Sequence, residues 1–377
     1  MTIPYSKILS AAVACAALAV PAQAETKFIA NDFFDAATPL AKYTYLEWAE
    51  QVKALSDGDL VPDVYTGTVL LAPRANLQGT QDNIVQLAHQ SAVYTPSEMP
   101  VANAVQELGF NYSDQFVMQF AISDFSMHNQ IQMDEWRDLG LVYLGGYATP
   151  PYVLFCREPV RNLAELKGKR IRTAGSTVSA WVEEAGGIPV NVPSSEMYTG
   201  LERGTLDCAS NAANDLIDRS LWEVSEHTTL LPTGMYWSGP MWGYNADFWA
   251  SLTDDNRSVL MTATARAMVR LAIGYDAAAR DALEASAEKG NNIYEPEADL
   301  MESVEAFRAK ALEGIYETAE QKYGITDAQA LIDDFRAVVE KWEGLLEGVD
   351  RSDEDALTAL VESEIYDTLE PASYGIN

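Results

Sequence analysis

The chain contains few of the residues that metal and catalytic sites most often use. Only three of its 377 residues are histidine, His89, His128 and His227, and their spacing matches no metal-binding motif. It also lacks a nucleophile elbow, a Walker loop, a dinucleotide fingerprint and a Cys-x-x-Cys pair. The sequence therefore predicts no cofactor and no metal, and it disfavours an enzyme relative to a binding protein.

Positive charge is also scarce. The chain has 25 lysine and arginine residues against 56 acidic residues, which gives a formal net charge of -31. This excess of negative charge disfavours binding to nucleic acid and to anionic lipid. Beyond residue 24 no segment approaches the roughly 20 consecutive apolar residues that a membrane helix needs. The sequence therefore predicts no nucleic-acid partner and no stable insertion into a membrane.

The first 24 residues have the pattern of a secretory signal. A positive charge at Lys7 precedes an apolar run over residues 8–20, and Ala22-Gln23-Ala24 is a cleavage site of the A-x-A type. We expect the mature chain to begin at Glu25 and the protein to reside in the periplasm.

Export leaves two cysteines in the mature chain, Cys156 and Cys208, both on predicted strands of one domain. An oxidising compartment allows them to form a disulfide. Two separate buried thiols are the more common outcome, so the sequence favours thiols and leaves the disulfide open.

The segment 167–211 carries the clearest structural pattern. Its periodicity predicts strands over residues 169–173, 188–192 and 205–210, joined by two helices. Crossovers of this length connect parallel strands, and the ligands of parallel sheets bind beyond the carboxyl ends of the strands. This segment should therefore contribute one wall of a binding site.

Polar residues occur at these predicted strand ends. Arg172 ends the first strand, Asn191 and Ser194 follow the second, and Asn211 follows the third. One guanidinium and one amide, close to helix N-termini, suit a small carboxylate. The alternative is structural: Arg172 pairs with a surface acid, and Asn211 caps the following helix.

Four stretches of the sequence resemble a known family. The runs LKGKRIRTAGS, GGIPVNVPSSEMYTGLERGTLDCASN, LWEVSEH and YNADFWASLTDDNR are similar to the DctP-type periplasmic solute receptors of TRAP transporters. This resemblance implies an α/β fold of the two-lobed periplasmic binding protein type (type II-like), with a long inter-lobe helix and extra C-terminal helices. It also implies that the protein captures a small organic acid and delivers it to TRAP membrane permease subunits.

The resemblance also implies roles for particular residues. Arg172 would hold the substrate carboxylate, and Asn211 would assist it. Four further residues are expected to shape the site: Tyr152, Trp237, Tyr94 and Ser194. For Trp237 the alternative is a buried contact between the lobes.

This chain departs from the family pattern at three places. Ala174 replaces a proline, the Gln-Glu pair before Asn211 is missing, and Tyr152 stands where some members carry a second arginine. A single arginine among aromatic residues favours a monocarboxylate, with aromatic acids or a carboxylate-bearing zwitterion (a compatible solute) as candidates. A C4-dicarboxylate needs a second cation, which the sequence does not identify.

The predicted domain order follows from the same pattern. Residues 25–148 form mainly lobe 1 and residues 149–235 mainly lobe 2. Residues 236–349 supply a returning strand, the long helix and C-terminal helices on both lobes, and residues 350–377 form an acidic tail with one short helix. Within these lobes we also expect helices over residues 74–89 and 215–227 and a strand near residues 91–94.

Overall fold

The computed structural model describes residues 25–376, so the predicted signal segment lies outside the described residues. The described part of the chain contains these strands: β1 (Thr26–Asn31), β2 (Leu60–Tyr65), β3 (Leu87–Ala88), β4 (Leu141–Tyr143), β5 (Tyr152–Cys156), β6 (Arg170–Thr173), β7 (Ile188–Asn191), β8 (Cys208–Ala212), β9 (His227–Thr229), β10 (Gly243–Asn245) and β11 (Asn292–Tyr294).

These strands form two separate sheets. The first has the order β2-β1-β3-β10-β4, and the second has the order β11-β9-β5-β8-β6-β7. We call the parts built on them the first lobe and the second lobe. In the second sheet β6 pairs in parallel with both β7 and β8, as predicted. Strand β10 returns to the first sheet and pairs antiparallel with β3 and β4. The two-lobed α/β fold is therefore confirmed.

The helices surround both sheets. Their bounds are α1 (Pro39–Ala41), α2 (Glu47–Leu55), α3 (Asn76–Gln81), α4 (Pro100–Gln106), α5 (Gln115–His128), α6 (Gln130–Asp138), α7 (Leu163–Leu166), α8 (Ser176–Glu184), α9 (Met197–Glu202), α10 (Asp215–Asp218), α11 (Ala246–Ser251), α12 (Asp254–Glu288), α13 (Ala298–Glu313), α14 (Ile315–Tyr323), α15 (Ala328–Leu345) and α16 (Glu354–Glu364).

Helix α12 is the predicted long helix. It has 35 residues, and its N-terminus is capped by the Thr253 hydroxyl, which accepts the Asn256 N–H at 3.1 Å. At the usual rise it is about 52 Å long. It packs against α2 of the first lobe and α10 of the second, so it contacts both halves of the molecule.

One predicted helix is much shorter than expected. The pattern over residues 74–89 forms a 3-10 turn, Pro73–Ala75, and then α3, which ends at Gln81. Asn83 adopts the left-handed conformation with φ 54°, which a right-handed helix cannot continue through. The predicted strand near residues 91–94 is a 3-10 turn, Ala92–Tyr94, and the strand of this region is β3.

A second predicted helix is interrupted in the same way. Residues 215–227 contain only the short α10, because Ser220 is left-handed with φ 53°. A 3-10 turn, Leu221–Glu223, and strand β9 follow.

Two of the cysteines form a disulfide. Cys156 and Cys208 are directly opposite each other on the antiparallel strands β5 and β8, with their Cα atoms 4.1 Å apart. Both residues are buried. The expectation of two separate thiols was therefore wrong, because register places the two side chains side by side.

The C-terminal tail packs on the first lobe. The Tyr366 hydroxyl donates to the Leu144 carbonyl at 2.7 Å, and the Trp249 indole N–H donates to the Tyr374 carbonyl at 2.7 Å. Its predicted short helix is α16. Among residues 25–376, no helix combines the length and apolar character required to cross a membrane.

Candidate ligand-binding site

A cavity lies between the two lobes, and most of the predicted site residues line it. From the second lobe come Tyr152, Arg172, Ser194 and Asn211, and from the first lobe comes Tyr94. The free volume is about 20 Å³, close to the roughly 10–15 Å³ that one water molecule requires. Binding of an organic solute therefore requires the two walls to move apart.

Arg172 is the most deeply buried cation of this cavity, with 1% of its surface exposed. It lies near the carboxyl end of β6, and its Nε and Nη1 donate to the carbonyls of Val192 and Ser210 at 3.0 and 3.1 Å. Within the described residues it makes no ion pair, so the alternative of a surface salt bridge does not apply. A buried charge without a counter-ion is costly by several kcal/mol. The cavity therefore favours an anion beside this guanidinium.

Tyr94 connects the two walls. Its hydroxyl accepts the Ser194 backbone N–H at 3.0 Å and an Arg172 Nη2 hydrogen at 3.3 Å. Nearby, Arg74 of the first lobe donates to the Tyr94 carbonyl at 3.1 Å and to the Asn191 carbonyl at 3.5 Å. Because Arg172, Asn191 and Ser194 belong to the second lobe, these hydrogen bonds stabilise the closed arrangement.

Asn211 participates in a buried polar cluster. Its Nδ2 donates to the Asp215 carboxylate at 2.5 Å, and the Asn214 side chain donates to the same carboxylate at 3.2 Å. Burial raises the pKa of Asp215, whereas the adjacent Arg219 and Asn211 favour its charged form. The amide of Asn211 is thus held in place at the end of β8 by an acid at the start of α10.

The sequence analysis missed Arg219, the second arginine of the cavity. Its Nε lies 3.2 Å from Asp215 and its Nη1 lies 3.5 Å from Asp35 of the first lobe. Its guanidinium is also 5.3 Å from the centre of the Phe34 ring. The signal available in the sequence was the spacing of Asp215 and Arg219, four residues apart at the beginning of a helix that follows a site strand.

Trp237 does not line the cavity. It is fully buried, and its ring lies 6.1 Å from Phe335 and 6.0 Å from Tyr112. Its neighbour Tyr236 lines the cavity instead. Successive side chains of an extended segment point to opposite sides, so only one of the two can face a ligand. The structure therefore places Trp237 in buried packing against Tyr112 and Phe335.

Aromatic rings form much of the remaining wall. Besides Tyr94 and Tyr152, the cavity is lined by Phe34, Tyr147, Tyr236 and Tyr275. Burial raises the pKa of Tyr152, Tyr236 and Tyr275, so these phenols stay protonated at neutral pH. Tyr275 lies on α12, which places the long helix in the wall of the site. Within residues 25–376 no cluster of three or more His, Cys, Asp or Glu side chains is arranged to hold a metal ion.

Comparisons with known proteins agree with this architecture. A solute-binding protein of Albidiferax ferrireducens is 25% identical over 244 residues, which are 64% of this chain and 70% of that protein. An ectoine/5-hydroxyectoine-binding periplasmic protein of Ruegeria pomeroyi is 24% identical over 265 residues, 70% of this chain and 76% of that protein.

Among solved structures, a TRAP solute-binding protein of Rhodoferax ferrireducens, in complex with copurified benzoate, has a TM-score of 0.76 at 19% identity. The likeness covers 85% of this chain and 99% of that one, and it supports the two-lobed fold. The profile described as bacterial extracellular solute-binding protein, family 7, matches residues 31–321. The chain therefore belongs to family 7 of the bacterial extracellular solute-binding proteins, the DctP family.

Proposed function

We propose that this protein is the periplasmic receptor of a TRAP transporter and that it binds a small organic monocarboxylate between its lobes for delivery to the membrane permease. The observation that carries this proposal is the buried guanidinium of Arg172, which faces the cavity without an acidic partner among the described residues. A ligand carboxylate would supply the missing charge through a bidentate pair.

The charges of the cavity favour one carboxylate over two. Arg219 is already paired with Asp215 at 3.2 Å and approached by Asp35 at 3.5 Å. Among the described residues that line the cavity, Arg172 is the arginine without an ion pair. A second ligand carboxylate would have to displace a protein carboxylate from Arg219, so dicarboxylates should bind more weakly.

The hydrogen bonds between the lobes indicate how binding is completed. Tyr94 of the first lobe contacts both Arg172 and Ser194 of the second. Closure over a bound carboxylate removes water from the ion pair and lowers the local dielectric constant, which strengthens the attraction. Release to the permease would require these contacts to open.

A zwitterionic solute is the second candidate. Asp215 and the tyrosines of the wall could hold a cationic group while Arg172 holds the carboxylate. The likeness to the ectoine/5-hydroxyectoine-binding protein supports this alternative. A direct comparison of benzoate, pyroglutamate, ectoine and succinate by titration calorimetry would separate the monoanion, zwitterion and dianion classes.

The test of the site is Arg172→Ala in the mature chain. Removing one partner of a buried charge pair costs about 2–5 kcal/mol of binding free energy, so the dissociation constant should rise at least about 30-fold. The matched control is Arg170→Ala on the same strand, because Arg170 is 41% exposed and pairs with Asp207 at 2.7 Å.

Titration calorimetry measures the affinity, and circular dichroism checks that each variant is folded. An Arg172→Ala protein that is folded and binds its carboxylate as tightly as the unmodified chain would refute the assignment. So would an unmodified protein that binds none of these four solutes. An Arg170→Ala protein with the same loss as Arg172→Ala would show that the effect is general to the strand.

A further inference from the structure

Three polar side chains at the edge of the cavity form a hydrogen-bonded series. None of them takes part in the proposed binding of the ligand carboxylate. Asp32 follows β1, His89 follows β3, and Ser91 precedes the turn that carries Tyr94. His89 Nδ1 lies 3.3 Å from Asp32 Oδ1, and His89 Nε2 lies 3.1 Å from Ser91 Oγ. Asp32 and His89 are fully buried, whereas Ser91 lines the cavity.

The carboxylate of Asp32 sets the direction of these hydrogen bonds. A carboxylate oxygen only accepts, and Asp32 Oδ1 also accepts the Phe34 N–H at 3.2 Å. With Asp32 as a carboxylate, the proton that His89 Nδ1 shares with Oδ1 is on Nδ1. In a neutral imidazole the other nitrogen, Nε2, has only a lone pair. The Ser91 hydroxyl must therefore donate its hydrogen to Nε2.

The imidazole is held in this orientation by its surroundings. Its ring stacks on Phe33 and Phe34, with ring centres 4.6 and 5.2 Å away. The Asn76 side chain also donates to the His89 carbonyl at 2.9 Å, which fixes the backbone of this residue.

We infer that the Asp32, His89 and Ser91 series makes Ser91 a specificity-determining residue, whose hydroxyl oxygen accepts a hydrogen bond from an O–H or N–H of the ligand. This inference rests on the proposed function and narrows its substrate class to monocarboxylates that also carry a hydrogen-bond donor. Ser91 Oγ is available to such a donor because its own hydrogen is committed to His89. A ligand group that can only accept hydrogen bonds would face the lone pairs of Ser91 Oγ, and its binding would be disfavoured.

The test uses probes that differ in a single group: benzoate, the three hydroxybenzoates, 3-methoxybenzoate, propionate and lactate. The unmodified chain should bind the best hydroxy acid more tightly than its parent acid and more tightly than the methoxy acid. One neutral hydrogen bond is equivalent to about a two- to tenfold preference. Ser91→Ala should abolish this preference, so that the hydroxy acid and its parent acid bind with similar affinity.

Two further variants separate recognition from a structural role. Ser238→Ala is the matched control, because Ser238 is a buried serine outside the cavity, and it should leave the preference unchanged. His89→Phe keeps a flat ring but removes the acceptor of the Ser91 hydrogen. The Ser91 hydroxyl can then rotate and donate, so the discrimination against 3-methoxybenzoate should disappear.

The possible failures are distinguishable. A hydroxy-acid preference that survives in Ser91→Ala, or a preference of the unmodified chain for 3-methoxybenzoate, would overturn the inference and leave the carboxylate receptor intact. Hydrolysis of 4-nitrophenyl acetate that is lost in Ser91→Ala would also overturn it, because Ser91 would then be a nucleophile. Failure of every carboxylate to bind the unmodified chain would overturn the proposed function itself.

Discussion

The hydroxyl of Tyr94 offers a direct test of how closure of the lobes contributes to affinity. Tyr94→Phe removes one oxygen and keeps the ring. That oxygen accepts the Ser194 N–H at 3.0 Å and an Arg172 hydrogen at 3.3 Å, both from the opposite lobe. The substitution therefore acts on the closed state, in which these atoms meet, and not on the folding of either lobe.

The expected magnitude follows from the two lost hydrogen bonds. A neutral hydrogen bond contributes about 0.5–1.5 kcal/mol and one to a charged group about 1.5–3 kcal/mol. Since the 3.3 Å contact is long, we take the lower part of both ranges, about 2 kcal/mol in all. The dissociation constant should then rise about 30-fold. Because the closed complex is the state that is weakened, the change should appear mainly in the dissociation rate.

Stopped-flow fluorescence measures both rate constants, and urea unfolding of the ligand-free protein measures the free energy of unfolding. The control is Tyr65→Phe, because among residues 25–376 the Tyr65 hydroxyl hydrogen-bonds only to Asp63 of its own strand, at 3.3 Å. An unchanged dissociation rate for Tyr94→Phe would refute the closure argument. A fall in the free energy of unfolding as large as the loss of affinity would show that Tyr94 stabilises the fold instead.

Three further predictions concern stability. Trp237→Phe should lower the free energy of unfolding by about 1–2 kcal/mol and leave ligand affinity within twofold, as measured by urea unfolding and calorimetry. Replacing both Cys156 and Cys208 by serine opens a loop of 52 residues and should cost about 2–4 kcal/mol, measured by unfolding without reductant. Burial raises the pKa of Asp218 from 3.8 to about 6, so its proton is bound more tightly in the folded state. The contribution of Asp218 to the free energy of unfolding should therefore fall by about 2 kcal/mol as the pH rises from 4 to 6, and Asp218→Asn should remove that contribution from the pH profile.

Local patterns predicted the wall of the cavity that contains Arg172. The strands and helices between residues 167 and 211 alternate regularly, and β6, β7 and β8 lie close to the expected positions. The carboxyl ends of parallel strands lie at the same edge of a sheet. The sequence positions of Arg172, Ser194 and Asn211 were therefore enough to predict that they line one cavity. Their roles in binding remain predictions.

Other features depend on contacts that local patterns do not encode. Asn83 and Ser220 interrupt predicted helices by adopting left-handed conformations, which few non-glycine residues do. The disulfide required the register of β5 against β8, a pairing between distant segments. The contact between Arg219 and Asp35 joins the two lobes, so local spacing did not predict it.

The choice between Tyr236 and Trp237 illustrates the same limit. A shift of one residue in an extended segment exchanges the side chain that faces the cavity for the one that faces the core. The family resemblance placed Trp237 at the site, but Tyr236 is fixed by its backbone hydrogen bonds with Thr149 at 2.9 and 3.1 Å.

Tyr275 lines the cavity and belongs to α12. The long helix therefore connects the ligand site to a distant part of the molecule, where α12 begins. From Tyr275 to Asp254 the helix extends about 30 Å. If α12 rotates by about 5° when a ligand binds, its N-terminal end moves by about 3 Å along the surface of the molecule. Ligand binding would then change a distance at the surface of the protein, far from the entrance of the cleft. A pair of spin labels at the N-terminal end of α12 would measure that change.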